Sequence, residues 1–548
     1  MRQHPDLPPA VTTSARQARD LATRREVLAI ASSFGASSFG VRAAALLGLA
    51  GAAGPARAQA VPKQGGTVRI QQEVRALKDP RLFDWPQIAN FTRGWLENLV
   101  SYENDGTFRP QLLRDWRISP DARRYTLFVR QGVTWNTGDP FTAQDVARNI
   151  ARWCAASVPG NSMAGRMQAL IDPQTQQAAQ GAITVLDPLT VELNLRRPDI
   201  TLIAGMADYP AAIVHADHDP DTMLSAPLGT GPYLPETLEV GARGVLVRNR
   251  DHQWWNAGHG AWMDRIEFLD FGTDPASWVA AAQSDAVDML YSVEGDFIDV
   301  MAGLPGWTQH GIDSASTVVI RPNQQVPPYD NPQLRRAMQL AVDNAVILEL
   351  GYGDRGSLAE NHHVAPLHPA YAPLPPQPHD PAAARALLDR AGLADVEHEL
   401  ISIDDGFRKD TADAVAAQLR DAGFRVRRKV LPGTQFWQGW TGYPFSATDW
   451  NHRPLGVQVW ALAYRSGAAW NEFGWADPAF DAVLDQALGT IDTRARRALM
   501  ARGETMIQEA GVTLQPYWRR LYNHAKSDLL GAAHHISFEI RPAELAWT

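Results

Sequence analysis

Between positions 436 and 475 the chain reads FWQGWTGYPFSATDWNHRPLGVQVWALAYRSGAAWNEFGW, which gathers Trp437, Trp440, Trp450 and Trp470 around Asp449 and Arg453. A carboxylate, a guanidinium and several indole rings are groups that hold a solute rather than break its bonds. A charged solute buried away from water needs an opposite charge or a set of donors, because an unpaired buried charge costs several kcal/mol. Flat or apolar parts of the solute can lie against rings. Catalytic signatures are missing: no GxSxG, no HExxH and no nucleophile–base pattern occurs, so no catalytic residue is expected. His362-His363 and His534-His535 are adjacent pairs, poorly spaced for one helical metal face, and surface or loop roles are expected for them. His452, inside the rich stretch, is the one histidine singled out for metal contact; no metal site and no cofactor are expected.

A framework must position these groups. The chain has 548 residues, 45% hydrophobic and 20% charged, enough for more than one core. Its net charge of −9 is spread over interspersed acids and bases, so no basic stripe faces phosphate and nucleic acid is not an expected partner. The single cysteine, Cys154, excludes an internal disulfide and a four-cysteine metal site, and its place on an apolar stripe marks it as a small buried hydrophobe. The clearest local unit is YTLFVRQGVTWNTGDPFTAQDV (125–146). Tyr125, Leu127 and Val129 share one strand face, Asn136 and Gly138 form a turn, and Thr142 with Asp145 makes a capping box for a helix bearing Val146 and Ile150. Further strands are expected at 65–70, 244–255 and 263–271, and a hairpin over 183–195 around Asp187-Pro188. From 331 helices dominate. One is capped by Asn331-Pro332 and carries Leu334, Met338, Ala341, Ala345 and Leu348 on one face; others start at Asp380-Pro381 and Asp477-Pro478, span 411–422 before a strand, and span 494–510. The Pro-rich 365–381 reads as an extended connector. Alternating helices and strands imply an α/β fold with mixed or parallel sheets.

The first 60 residues have an export layout. Arg24-Arg25 in TRREVL leads into an Ala/Gly/Leu stretch that ends at Ala58-Gln59-Ala60, which resembles a twin-arginine signal cleaved near Ala60. The stretch is too weakly apolar, with Arg42 inside it, for a permanent span. A soluble protein of the bacterial periplasm is expected.

Several collinear stretches carry a family resemblance: GGTVRI (65–70), RPQLLRDWRISPDARRYTLFVRQGVTWNTGDPFTAQDVARNIARW (109–153), PLGTGPYLPE (227–236), VRNRDHQWWN (247–256), NPQLRRAMQLAVDNAVILELGYGDRG (331–356) and ADPAFDAVLDQA (476–487). Together they resemble the periplasmic oligopeptide- and dipeptide-binding proteins, the family 5 solute-binding proteins of ABC importers. The resemblance implies a two-lobed periplasmic-binding-protein fold that closes on a ligand in a hinge cleft. It implies a discontinuous first lobe (61–100, 225–322 and 512–548), an extra domain on that lobe (101–224) and a second lobe (323–511). The unit at 125–146 is then scaffold of the extra domain. The implied partners are a short peptide or peptide-like solute and an inner-membrane permease complex, with the binding protein a monomer.

By the same resemblance Asp449, beside Trp450, matches the acid that pairs with a peptide ammonium; a turn or salt-bridge role is its alternative. Arg453 suits a carboxylate held bidentately, against an interlobe or surface pair. Trp437, Trp440, Trp450 and Trp470 line the cleft or pack the core. Tyr464 and Asn471 are further polar candidates, with loop hydrogen bonding as the alternative. A non-peptide cargo (nickel chelate, haem or oligosaccharide) and an exported periplasmic enzyme are the competing functions. Replacing Arg24 and Arg25 together by Lys is expected to trap uncleaved precursor in the cytoplasm. Normal processing on an immunoblot would exclude the twin-arginine route.

Overall fold

The computed structural model describes residues 61–548; the export segment expected at 1–60 lies outside the described residues. The described chain is α/β with mixed sheets. An eleven-stranded sheet runs in the order Tyr233–Glu239, Arg243–Arg248, Arg265–Leu269, Thr67–Gln71, Met289–Leu290, Tyr517–Lys526, Trp307–Pro322, Phe445–Trp450, Glu397–Ile403 and Arg425–Leu431, with Gly356–Leu358 added on Tyr517–Lys526. Its middle is an antiparallel pair of long strands, Trp307–Pro322 and Tyr517–Lys526, whose register shifts between Asp313 and Thr317. Beyond that shift the first long strand takes Phe445–Trp450 as its other neighbour, from Thr317 opposite Trp450 to Pro322 opposite Phe445. Its burial follows: alternating over residues 307–313, continuous over residues 314–322. A strand covered on both faces has no polar side to alternate with.

Separate cores flank this pair. One is built from Val68, Ile70, Trp95, Tyr233, Ile266, Phe268 and Leu545. Another joins Leu334, Met338, Leu388, Leu400, Val415, Leu419 and Phe445. A third holds Trp450, Trp460, Tyr464, Phe473, Phe480 and Leu484. The segment between residues 99 and 213 has a core of its own, centred on Tyr125, Leu127, Val129, Val146, Ile150 and Cys154. That core sits under a four-stranded sheet ordered Leu113–Ile118, Arg124–Val129, Thr190–Asn194, Ile183–Asp187, the last two being the hairpin expected around Asp187-Pro188. Cys154 is buried, and burial pushes its thiol up to about 12, so it behaves as a hydrophobe.

The sequence signals at helix starts are realised as geometry. Asp145 Oδ2 accepts from both the backbone N–H (2.8 Å) and the hydroxyl (2.9 Å) of Thr142, at the start of Ala143–Trp153. Asn331, Asp380 and Asp477 each accept a backbone N–H at 2.8 Å. One expected helix is corrected. The run from Leu334 to Leu348 is two helices, Pro332–Ala341 and Asn344–Tyr352, because Val342 is extended and Asp343 caps the second. Asp343 Oδ1 accepts from Ala345 N–H at 2.8 Å, and its own N–H donates to Gln418 at 2.6 Å, so side chains take over the hydrogen bonds that a continuous helix would make. The strand expected over 244–255 stops at Arg248, and the following chain turns so that Trp254 and Trp255 both donate to Glu97.

The turn at Asn136 shows what the 125–146 unit is for. Asn136 N–H donates to Gly229 O (2.9 Å), its Oδ1 accepts from Gly229 N–H (3.2 Å), and its Nδ2 donates to Pro227 O (2.7 Å). This seats GTGPYL against Gly94-Trp95, where a Cβ on Gly229 would stand 1.9 Å from the Trp95 carbonyl oxygen. Gly229→Ala is therefore expected to lower stability by ~2 kcal/mol or more, read from the urea midpoint. Gly442→Ala, whose Cβ meets open space, should leave that midpoint within ~0.5 kcal/mol.

Candidate ligand-binding site

The tryptophans expected to act together do meet. Trp437, on the helix Gly433–Gly439, lies 6.0 Å from Trp440, which lies 6.4 Å from Trp450, which lies 5.9 Å from Trp470, all edge to face. The row continues beyond this part of the chain. Trp85, at the start of the helix Pro86–Thr92, meets Trp437 edge-on at 6.2 Å, and the guanidinium of Arg166 lies 5.9 Å from the Trp470 ring at the other end. Trp85 and Arg166 come from the chain before residue 214, so the row spans a seam between two parts of the molecule. Trp85, Trp437, Trp440 and Trp470 are half-buried and pack against the edges of separate hydrophobic cores.

The row is fixed from behind by an ion pair that sequence reasoning missed. Arg321, on the long strand, and Glu472 are both 0% exposed and meet at 2.8 Å. Arg321 also donates to the carbonyls of Trp440 and of Tyr443. Glu472 accepts from Trp450 Nε1 (2.7 Å) and the Thr448 hydroxyl (2.8 Å). Burial pushes the Glu472 carboxyl upward, against the pull of Arg321 and these donors. Every charged atom has a partner, which is what allows a pair at this depth.

Beside Trp470 lie three more charges. Asp208 Oδ2 accepts from Arg166 Nε (2.7 Å) and Nη2 (2.5 Å), while Arg453 Nε stands 4.0 Å away. Burial raises the Asp208 carboxyl, but Arg166 and then Arg453 outweigh it and hold it below the ordinary carboxylate range. The neighbouring His452 accepts Ala315 N–H at Nδ1 (3.1 Å), so its Nε2 carries the hydrogen facing Tyr102 Oη (3.1 Å). His368 is set the same way: Nδ1 accepts Ala365 N–H (2.9 Å), and Nε2 donates to Arg453 O (3.0 Å). Burial pushes His452 well down, with His368 and Arg453 adding to the effect, and takes His368 to about 4.

The remaining expected residues are engaged within the protein. Asp449 lies on the other face of its strand from Trp450 and receives Arg408 bidentately, at 2.7 and 3.1 Å. This is its salt-bridge alternative, and it leaves no free charge for an ammonium. Tyr464 is buried, stacked on Phe473, with its hydroxyl on His363 Nδ1 at 3.1 Å. Asn471 donates to the carbonyls of Arg465 and Trp475, holding the loop. The histidine pairs expected in surface or loop roles, His362-His363 and His534-His535, do lie in loops, and all four are buried rather than at the surface. Among the described residues no group of three or more His, Cys, Asp or Glu is placed to hold a metal.

Burial raises the Asp449 carboxyl, and Arg408 with Arg519 reverses this and lowers it. A lowered folded value gives stability that is present above pH ~4 and lost as pH falls through the folded value. Asp449→Asn is expected to cost ~2 kcal/mol at pH 7, by removing two charge-assisted hydrogen bonds and leaving Arg408 with Asp405 as its remaining ion-pair partner. The deficit should shrink on acidification below pH ~4, followed by urea titration at each pH.

The family described as "Bacterial extracellular solute-binding proteins, family 5 Middle" matches residues 107–471. A probable peptide ABC transporter periplasmic-binding protein of Sinorhizobium fredii is 22% identical, covering 81% of this chain and 87% of its own length. The nickel-binding periplasmic protein of Escherichia coli is 25% identical over 54% of this chain and 55% of its own. The dipeptide-binding protein of Pseudoalteromonas sp. SM9913, solved with Met-Leu, superposes with a TM-score of 0.76 at 19% identity, covering 88% of this chain and 100% of its own. The same two-lobed architecture is shared with the murein tripeptide-binding protein of Escherichia coli (TM-score 0.76, 19% identity, 89% of this chain and 100% of that one). The chain belongs to the family 5 bacterial extracellular solute-binding proteins.

Proposed function

We propose that this protein is the solute-receiving component of an ABC importer, which closes two lobes on a short peptide or peptide-like solute and delivers it to a membrane permease. The observation that carries this reading is the seam itself. A row of tryptophans and the cluster Arg166–Asp208–Arg453 bring together side chains from both sides of it. In this reading the lobes are 61–100 with 225–322 and 512–548, carrying 101–224, and opposite them 323–511. The separate cores and the sheet held through two long strands support that division. Two strands crossing between lobes are a natural hinge. Arg453 and Trp437, Trp440, Trp450 and Trp470 are the proposed ligand contacts, joined by Trp85 and Arg166. Asp449 and Tyr464 keep scaffold roles, since their polar atoms already have partners, and Asn471 does so through its Nδ2, which holds the carbonyls of Arg465 and Trp475.

A peptide-like cargo is favoured over a directly coordinated metal because the seam histidines use both ring nitrogens on protein atoms. Relatives include a nickel-binding periplasmic protein and a haem-binding protein, so cargo varies in the family. Export by the twin-arginine signal, cleavage near Ala60, work in the periplasm as a monomer and the lack of enzymatic activity belong to the same proposal. No helix of the described residues is long and apolar enough to cross a membrane.

Native mass spectrometry of the purified protein, followed by denaturation, is expected to release peptide-sized masses. Adding these back should compact the protein in small-angle scattering and change its tryptophan fluorescence. Release of a metal, haem or sugar would overturn the peptide reading, and binding without compaction would overturn closure.

A further inference from the structure

The charges around the seam do not balance. Five carboxylates near it each have a cation: Asp208 with Arg166, Asp449 with Arg408, Glu472 with Arg321, Asp84 with Lys78, and Glu73 with Arg75, whose guanidinium also covers Trp85. Asp199 lines a small pocket beside Arg166; its Oδ1 is tied to the N–H and hydroxyl of Thr201, and it lies in the field of Arg197 and Arg465.

Arg453 is the cation left over. It is 7% exposed. Its Nη1 donates to the carbonyls of His452 (3.0 Å) and Asn451 (3.4 Å), which satisfies hydrogens but not charge. Its Nε is buried with no hydrogen-bond partner. The nearest carboxylate, Asp208, has Oδ2 already taken by two Arg166 nitrogens and Oδ1 by Tyr209 N–H (2.9 Å). Two guanidinium groups therefore face one carboxylate in a place shielded from water. A buried charge in that state calls for a counter-charge, and the planar fork of arginine matches a carboxylate or another oxyanion.

We infer that the cargo brings an anionic group to Arg453 and carries no free α-ammonium: a peptide-like acid whose amino end is blocked or absent. The inference rests on the peptide-like reading above and sharpens it. A zwitterion would bring its ammonium into a seam where the acids other than Asp199 each have a cation, and Asp199 already has Thr201 on Oδ1 and lies in the field of Arg197 and Arg465. An N-blocked acid brings only the charge that is missing.

The test uses mixed dipeptide pools in three forms: free zwitterions, N-acetylated acids, and C-terminal amides with a free amino end. Binding to the purified protein is followed by native mass spectrometry and tryptophan fluorescence. N-acetylated acids are expected to bind at least as tightly as zwitterions and ~30-fold more tightly than amides, the loss typical when one partner of a buried charge pair is missing. Arg453→Gln should weaken the acids by ~30-fold without changing the amides, and Arg453→Lys should restore part of the loss. Amides binding as well as acids, or zwitterions binding while N-acetylated acids do not, would overturn the inference and leave the peptide-like reading standing. Capture of none of the pools would remove that reading and the inference with it. The wild-type comparison among pools decides the matter even where Arg453→Gln fails to fold.

Discussion

The Arg321–Glu472 pair is the interaction on which the seam depends. Neither residue is exposed at all, and each charge is met from several directions. A pair at that depth is weak evidence for net stability, because desolvating two ions costs about what their attraction returns. What it supplies here is placement. Arg321 holds the backbone at Trp440 and Tyr443, and Glu472 holds the Trp450 indole, so the middle of the tryptophan row is referenced to the long strand Trp307–Pro322. Since that strand also forms the middle of the large sheet, the rings cannot shift without disturbing the element that joins the two ends of the molecule.

The histidines extend this logic to the polar floor of the seam. His452 connects Ala315, in the buried half of the same strand, to Tyr102 on the other side, and His368 holds the carbonyl of Arg453. Each ring is kept neutral by burial and fixed in one tautomer by a backbone N–H. The guanidinium of Arg453 is thus mounted on a support that adds hydrogen bonds without adding a negative charge. That combination leaves its charge available.

What could be read from the sequence was the local part. Caps at Thr142, Asn331, Asp380 and Asp477, the hairpin at Asp187-Pro188 and the face of Tyr125, Leu127 and Val129 all depend on neighbours within a few residues. The two long strands were not legible, because Trp307–Pro322 changes from one-sided to two-sided burial midway and its polar residues, Ser314, Ser316 and Thr317, fall in the buried half. The helix break at Val342 was hidden because its cause, Gln418 against Asp343, lies 75 residues away. The same limit shaped the view of the site. The tryptophans stood out by density and do form one row, whereas the charge partners of Asp449 and Arg453 are Arg408 and Asp208, the latter shared with Arg166, none of which sits near them in the chain.

The sheet order has a consequence for how the molecule is made. Thr67–Gln71 sits near its middle, yet the outer part of that half is closed by the far end of the chain: Lys63 N–H donates to Trp547 O, and Trp547 Nε1 donates to Thr67 O across 480 residues. Tyr517–Lys526 must also arrive before Met289–Leu290 and Trp307–Pro322 have a shared neighbour. A ribosome emits the first strand long before its partners, so that half can only assemble once synthesis is essentially over, while the 331–450 region can gather from nearby pieces as it emerges. Entropic loop closure makes such late, non-local pairing slow. The first strand of the sheet is therefore among the last to find all its neighbours, and it stays without native partners through most of synthesis.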